Sequence, residues 1–132
     1  MNIIIIGCGR LGSVLAMELS DAGHNVTVIE RDKKRLENLG SGFNGIRLSG
    51  IEYDEDLLLE AGIEQTDLLL AVTPDENLNI TVSLVAKKIY QVEKIIARVV
   101  NPNRTFIYDQ LGIETINPIQ VSVNLLKSKL VE

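Results

Sequence analysis

The chain has 132 residues, of which 45% are hydrophobic and only 4% aromatic, and its formal net charge is −5. This length is typical of one domain, so we expect residues 1–132 to form a single unit around its own core. The acidic balance argues against a nucleic-acid partner and against an anionic-membrane surface. The single cysteine, Cys8, argues against a disulfide framework and a metal cluster.

The aliphatic composition, with no tryptophan, is typical of a parallel sheet that is buried on both faces. The chain shows no secretory leader, and none of its apolar runs approaches the roughly 20 residues that span a bilayer. These features predict a cytoplasmic protein without membrane insertion of its own, which reaches the inner face of a membrane only through a partner.

Apolar strands alternate with segments of helical period along the chain. Strands are predicted over residues 2–6, 25–29, 45–48, 67–72, 94–100 and 114–116, and helices over residues 11–22, 32–39, 54–61, 73–90, 103–111 and 119–131. Strict alternation predicts parallel strands joined by right-handed crossovers. Six such strands predict an α/β, doubly wound, Rossmann-type sheet of order 3-2-1-4-5-6.

A G-x-G-x-x-G motif, Gly7-Cys8-Gly9-Arg10-Leu11-Gly12, directly follows the first strand and opens the first helix. In this context Gly7 makes a tight turn, Gly9 lets the backbone approach a pyrophosphate, and Gly12 lets the helix pack on the sheet. The free N–H groups of the helix N-terminus, near Leu11, favour phosphate binding. The alternative is a tight turn that holds no ligand.

Arg10 and Arg98 are candidate site residues. Arg10 lies inside the glycine turn, where its guanidinium can bind a terminal phosphate in bidentate fashion, or can simply be solvated. Arg98 lies within an apolar strand, where a charge needs a partner. An ion pair is the favoured interpretation of Arg98, and a role in the site is the alternative.

Glu30 ends the second strand, 18 residues after Gly12. A carboxylate at this place accepts hydrogen bonds from the ribose hydroxyls of a dinucleotide. An exposed strand-end acid without a ligand is the alternative interpretation. The neighbouring Arg31 can accommodate a 2′-phosphate, although Glu30 would repel one, and an unphosphorylated ribose is therefore favoured.

The segment Thr73-Pro74-Asp75-Glu76 predicts a capping box, with Thr73 as N-cap, Pro74 at the first helical position and Glu76 reaching back. The carboxyl end of the fourth strand borders the crevice in which such sheets bind ligands. Thr73 and Asn77 are therefore also predicted to line that crevice.

The last predicted helix begins with Asn117 as N-cap and Pro118 at its first position. Its apolar residues form a stripe that can pack on the sheet, and further apolar residues lie outside that stripe: Ile119, Val123, Leu126 and Leu130 in the first group, Val121, Leu125 and Val131 in the second. So wide an apolar arc needs two partners. We therefore expect the helix over residues 119–131 to bury its second apolar face against another copy of the chain, in a homodimer.

Six blocks of the chain form a more specific pattern than the glycine motif alone. They are residues 7–12 with an arginine inside the turn, 18–26, 61–63, 71–77, 86–88 and 96–99. This pattern resembles the N-terminal nucleotide-binding domain of the TrkA/KtrA (RCK) family of potassium-conductance regulators, and it extends over essentially the whole chain.

The resemblance implies a cytoplasmic regulatory subunit or domain of a membrane potassium channel or transporter. It implies binding of NAD(H) or of ATP/ADP, and dimers assembled within octameric rings. Carried over to this chain, Gly7, Gly9, Arg10 and Gly12 would hold the phosphates and Glu30 the ribose.

The chain departs from the family pattern in two places. The family often has Gly-Asp after the third strand, near the adenine, whereas this chain has Gly50-Ile51. The usual C-terminal ligand-binding domain has no counterpart in the 132 residues, which predicts either an unusually short member or one from which that domain is missing.

Three hypotheses follow. The first is a nucleotide-sensing regulator without catalysis, since no nucleophile–base pair and no metal-ligand spacing is recognisable. The second is an NAD(P)-dependent oxidoreductase domain that lacks its substrate domain. The third, suggested by Ile51, is an oligomerisation module whose nucleotide site has decayed.

Overall fold

Six parallel strands form one sheet in the computed structural model, which describes residues 1–131. They are β1 (Asn2–Ile6), β2 (Asn25–Glu30), β3 (Ile46–Ser49), β4 (Leu68–Ala71), β5 (Lys94–Arg98) and β6 (Glu114–Ile116). Their spatial order is β3-β2-β1-β4-β5-β6, and every neighbouring pair is parallel. The predicted doubly wound, Rossmann-type sheet is therefore confirmed.

Five α-helices connect or follow the strands in the described part of the chain. They are α1 (Arg10–Asp21), α2 (Glu55–Glu60), α3 (Glu76–Lys88), α4 (Thr105–Gln110) and α5 (Pro118–Leu130). Shorter 3₁₀ segments span Lys33–Leu39, Ile63–Gln65 and Pro102–Arg104. Among residues 1–131, no helix combines the length and the apolar character needed to cross a bilayer.

The segment that follows β2 is a 3₁₀ helix and not the predicted α-helix. Its two buried residues, Leu36 and Leu39, are three positions apart. A 3₁₀ helix has three residues per turn, so this spacing places both side chains on the face that meets the core. Asn38 ties the same turn to the glycine loop, since its Nδ2 donates to the carbonyl of Cys8 at 2.9 Å.

The core lies on both faces of the central strand β1. Ile4 and Ile6 pack into the cluster on one face, while Ile3 and Ile5 pack into the cluster on the other. All four side chains are at most 2% exposed. Successive residues of a strand point to opposite faces, and burial of an isoleucine side chain contributes about 1.5–3 kcal/mol. β1 is thus a rigid support for the glycine turn that follows it.

Helix α5 packs differently from the prediction. None of its residues is buried, and Ile119, Leu126 and Leu130 are 70%, 63% and 82% exposed. The expectation that one apolar stripe packs on its own sheet is therefore wrong. Because no residue of α5 is buried, neither group of its apolar side chains contributes to the core, and both remain on the surface.

Candidate functional site

The glycine motif forms a turn in which each glycine has a separate physical role. Gly7 adopts a φ of +104°, a left-handed conformation that side-chain-bearing residues rarely adopt. A Cβ on Gly12 would lie 2.0 Å from the carbonyl oxygen of Gly7, so helix and turn are in direct backbone contact. A Cβ on Gly9 would have no heavy atom within 4 Å, so the backbone there faces open space. The predicted tight turn and close packing are both present.

The N-terminus of α1 begins directly after Gly9, the residue whose Cβ position is open. Gly9 is the N-cap residue, and no side chain caps the helix. The N–H groups of Arg10, Leu11 and Gly12 at the start of the helix therefore remain without intrahelical partners. Together with the positive end of the helix dipole, they are suited to bind a phosphate. The Arg10 side chain itself is exposed beside them.

Glu30 is buried at the end of β2, with 3% of its surface exposed. Its Oε1 accepts from the N–H of Cys8 at 2.9 Å, and its Oε2 accepts from the N–H of Asp32 at 2.9 Å. The interpretation of Glu30 as an exposed strand-end acid is therefore wrong. Each carboxylate oxygen can accept a further hydrogen bond, so Glu30 can hold the glycine turn and a ribose together.

The Cys8 side chain lies under the turn and is fully buried. Burial, reinforced by the negative charge of Glu30, raises the pKa of the Cys8 thiol to about 11. The thiol is therefore protonated at neutral pH and serves as a small apolar side chain in the turn.

Glu30 lines a cleft of about 340 Å³ at the carboxyl ends of the strands. The residues that line it come from three segments: Glu30, Arg31, Arg35, Glu52, Thr73, Pro74, Asp75 and Leu78. Strand order reverses between β1 and β4, and doubly wound sheets bind their ligands at that point. The structure thus brings together three predicted site residues, Glu30, Arg31 and Thr73, beside the glycine turn.

Two predicted site residues lie elsewhere. Asn77 is exposed on α3 and does not line the cleft. Arg98 lines a separate pocket of about 300 Å³ beside the start of α5. Arg98 forms no ion pair within residues 1–131, so the ion-pair interpretation is wrong. Arg98 is the last residue of β5 and only half-buried, so its charge does not need a partner as a fully buried charge would.

The predicted capping box is also wrong, and α3 begins at Glu76 instead of Thr73. Asp75 is the N-cap residue, and its side chain accepts from the N–H of Leu78 at 3.2 Å. Thr73 Oγ1 instead donates to Asn79 Oδ1 at 2.7 Å, which holds Thr73 in the crevice. Thr73 and Glu76, the two residues of the predicted box, thus bind partners that the local pattern does not show.

Asn79 is a structural residue of the crevice that the sequence pattern did not single out. It is fully buried, and Oδ1 accepts from the N–H of Thr73 at 3.0 Å as well as from its hydroxyl. Nδ2 donates to the carbonyls of Thr73 at 2.8 Å and of Arg98 at 2.9 Å. One side chain thus ties the end of β4 to the end of β5. The sequence could have pointed to Asn79 through its place on the helical stripe of α3 that also contains Val82, Ser83 and Ala86, all of which are buried.

Glu52 is the other residue that sequence reasoning missed. Its side chain is 2% exposed, and its Oε1 accepts from Arg31 Nε at 2.9 Å. This hydrogen bond raises the pKa of the Arg31 guanidinium. The sequence offered only a weak signal, an acid in the loop after β3 that follows Gly50-Ile51.

Comparison with known proteins decides the family. A model of the TrkA-N domain matches residues 3–118. The chain belongs to the TrkA-N domain family. It is 42% identical over 130 residues to the Trk system potassium uptake protein TrkA of Streptomyces coelicolor, covering 98% of this chain and 58% of that protein. The chain therefore spans less than two thirds of the length of this relative.

Solved structures share the fold of this TrkA-N domain. The Kef CTD of Shewanella denitrificans, in its AMP-bound form, has a TM-score of 0.78 at 24% identity over 98% of this chain and 82% of that one. The GsuK channel bound to NAD has a TM-score of 0.74 at 18% identity over 87% of this chain and 21% of that one. The predicted family and Rossmann-type fold are both confirmed.

Glu76 of this TrkA-N domain holds the segment after β5 in place. Its carboxylate accepts from the N–H groups of Val100 at 2.6 Å and Asn101 at 2.9 Å, and from the hydroxyl of Tyr108 at 2.7 Å. Arg104 lies 3.7 Å from the same carboxylate. Burial would raise the pKa of Glu76, but the three hydrogen bonds and the arginine outweigh burial and leave it below its ordinary value of 4.5.

We expect Glu76→Gln to lower the free energy of unfolding by about 1.5–3 kcal/mol at neutral pH, since it removes hydrogen bonds to a charged group. The folded pKa is below the unfolded one, so the wild-type advantage is fully present above pH 4.5 and is lost as the pH falls through the folded pKa. Urea unfolding over a pH series measures this difference in the free energy of unfolding between wild type and Glu76→Gln.

Glu60→Gln is the matched control, because Glu60 is exposed at the end of α2. We expect that change to alter stability by less than about 0.5 kcal/mol at any pH. A difference between wild type and Glu76→Gln that does not shrink in acid would contradict the assigned role of the charge.

Proposed function

We propose that this chain is a nucleotide-sensing, non-catalytic domain of a cytoplasmic regulator of a potassium channel or transporter. The observation that carries the proposal is that Glu30, which lines the cleft at the switch point of the sheet, also accepts a hydrogen bond from the N–H of Cys8 in the glycine turn. Two findings support the potassium partner: membership of the TrkA-N family and similarity to a potassium uptake protein.

The ligand we propose is an adenine nucleotide, either NAD(H) or ATP/ADP. Its phosphates would bind the N–H groups at the start of α1, between Gly9 and Gly12, with Gly7 shaping the turn. Its ribose would donate hydrogen bonds to Glu30. Structural neighbours that hold AMP and NAD support both a mononucleotide and a dinucleotide as candidates.

An oxidoreductase is the second candidate that the fold raises. Within residues 1–131, the groups at the cleft are carboxylates, guanidiniums and one threonine hydroxyl, which hydrogen bonds and ion pairs already engage. We therefore propose that the bound nucleotide is a signal and is not consumed. Oxidation of NADH by the purified protein with a small carbonyl compound would favour the oxidoreductase instead.

Arg10→Ala tests which ligand class the site prefers. Arg10 begins α1 beside the free N–H groups, so its guanidinium can reach the terminal phosphate of ATP, which NAD lacks. We expect Arg10→Ala to weaken ATP binding by roughly tenfold and NAD binding by much less, as measured by calorimetry. Equal losses for both ligands would contradict a terminal-phosphate contact. Lys33→Ala, which removes an exposed cation outside the cleft, is the control.

We further propose that α5 joins two copies of the chain in a homodimer, which can be part of a larger ring. Its exposed apolar residues, such as Val121 at 51% and Leu125 at 57%, lie on a helix with no buried residue. A helix that leaves this many large apolar side chains exposed is suited to be an association site.

The double variant Val121→Asp/Leu125→Asp is therefore expected to be a folded monomer, because two charges would be buried without partners in the interface. Light scattering with wild type at tens of micromolar measures the change. Gln120→Asp/Asn124→Asp places the same charges on the polar side of the helix and should leave the dimer intact. A monomeric wild-type protein would contradict the interface.

A further inference from the structure

The Arg31–Glu52 ion pair lies at the cleft, and its two side chains are buried to very different degrees. Arg31 Nε and Nη2 lie 2.9 and 2.8 Å from the same oxygen, Oε1 of Glu52. The Arg31 side chain is 48% exposed, whereas the Glu52 side chain is 2% exposed. The carboxylate is therefore fixed within the protein, and it determines where the guanidinium points.

We propose that Glu52 makes this site select nucleotides with an unphosphorylated ribose, by neutralising the one arginine that adjoins Glu30. The inference rests on the proposed function and adds to it the chemical class of ligand that the site rejects. A 2′-phosphate needs a cation with free charge at the end of β2, and Arg31 is the residue in the right position. Its charge is already compensated by Glu52.

The other charged residues that line the cleft do not offer a 2′-phosphate a free positive charge in place of Arg31. Its lining contains three carboxylates and two guanidiniums. The second guanidinium, Arg35, has its Nε 3.8 Å from Oδ2 of Asp32, so it too has an acidic neighbour. A phosphate monoester carries a charge of about −1.5 to −2 near neutral pH, and here it would enter a field that is already negative.

Rotation of Arg31 toward a 2′-phosphate would not make the site favourable for that phosphate. It would leave the Glu52 carboxylate buried without its cation, and a buried charge that has lost its partner is strongly destabilising. The ribose hydroxyls, by contrast, are neutral donors that can add to the free lone pairs of Glu30. The same arrangement thus favours a hydroxyl and opposes a phosphate.

Glu52→Gln tests this role with a change of charge and almost no change of shape. The amide oxygen can still accept from Arg31, so the guanidinium stays in place but is no longer neutralised. The probes are AMP and adenosine 2′,5′-bisphosphate, which differ only in the 2′-phosphate, titrated by calorimetry. We expect wild type to prefer AMP, and Glu52→Gln to shift the ratio of affinities toward the bisphosphate on the order of tenfold.

Two controls separate charge at this position from other effects. The double variant Glu52→Gln/Arg31→Gln should lose the gain, because the gain depends on the freed guanidinium. Glu114→Gln removes one negative charge from an exposed position on the edge strand β6, outside the cleft, and should leave the ratio unchanged. Thermal unfolding of each variant shows that it is folded.

The outcomes also separate this inference from the proposed function. If wild type binds neither probe, the inference is overturned, and titration with ADP, ATP, NAD+ and NADH then decides separately whether the proposed nucleotide site stands. If wild type binds AMP but binds the bisphosphate equally well, the nucleotide site stands and the selection by Glu52 is overturned. An unchanged ratio in a folded Glu52→Gln variant overturns it as well.

Discussion

Replacing Asn79 with leucine is expected to lower the free energy of unfolding by about 3–5 kcal/mol. The Asn79 side chain makes four hydrogen bonds, to the N–H, carbonyl and hydroxyl of Thr73 and to the carbonyl of Arg98. Leucine has the same number and branching of side-chain heavy atoms, although it is bulkier, but it has no donor or acceptor. It therefore leaves these buried groups unpaired, and each unpaired group costs about 1–3 kcal/mol. Chemical denaturation with urea measures the loss.

Asn77→Leu is the matched control for this prediction. It makes the same substitution on the same helix, at an exposed position whose side chain lies outside the crevice. We expect that variant to differ from wild type by less than about 0.5 kcal/mol. Equal stability of the Asn79 and Asn77 variants would show that the Asn79 network does not hold β4 and β5 together.

The second large effect is expected at Gly12. In Gly12→Ala the new Cβ would lie 2.0 Å from the carbonyl oxygen of Gly7, and backbone atoms cannot move aside as the end of a flexible side chain can. Helix α1 would have to shift away from the sheet, which we expect to cost at least about 3 kcal/mol. Loss of the cooperative thermal transition, or a large fall in its midpoint, is the measurement.

Gly9→Ala separates the role of the turn in folding from its role in binding. Gly9 has a φ of −80°, and its Cβ position is free of neighbours, so alanine is compatible with the fold. We expect Gly9→Ala to change the free energy of unfolding by less than about 1 kcal/mol. Similar stability of Gly9→Ala and Gly12→Ala would contradict the assigned backbone contact at Gly12.

The order of the strands could be predicted because the signals for it are local and repeated. The isoleucines of β1 form an uninterrupted apolar run, and each helix is separated from its strands by polar or glycine residues. Alternation of strands and helices then restricts the topology, since crossovers are right-handed. The glycine turn was predictable for the same reason, because its spacing reflects contacts between neighbours in sequence.

The errors arose where a side chain has a competing partner outside the local sequence pattern. Thr73 and Glu76 have the spacing of a capping box, but Asn79 binds Thr73, and the backbone of Val100 and Asn101 binds Glu76. A local pattern cannot show which partner wins. The burial of Glu30 was missed likewise, because one of its donors, Cys8, is 22 residues away.

Glu52 shows a further limit of sequence reasoning. The departure from Gly-Asp at Gly50-Ile51 was visible, but a pattern of residue types does not say where a loop acid will point. Only the three-dimensional structure places Glu52 against Arg31 from the end of β2. A single sequence thus locates the binding motif and leaves the charge balance of the site undetermined.

The central claim is that the glycine turn binds the phosphates of an adenine nucleotide. Calorimetric titration of wild type and Gly9→Ala with AMP, ADP, ATP, NAD+ and NADH tests it most directly. We predict that wild type binds at least one of them at a single site. We also predict that Gly9→Ala still unfolds cooperatively but binds that ligand at least about tenfold more weakly. The methyl group would fill open space at the N-cap of α1, where the backbone must approach the phosphates. Absence of binding to wild type, or equal binding by the two proteins, would contradict the claim.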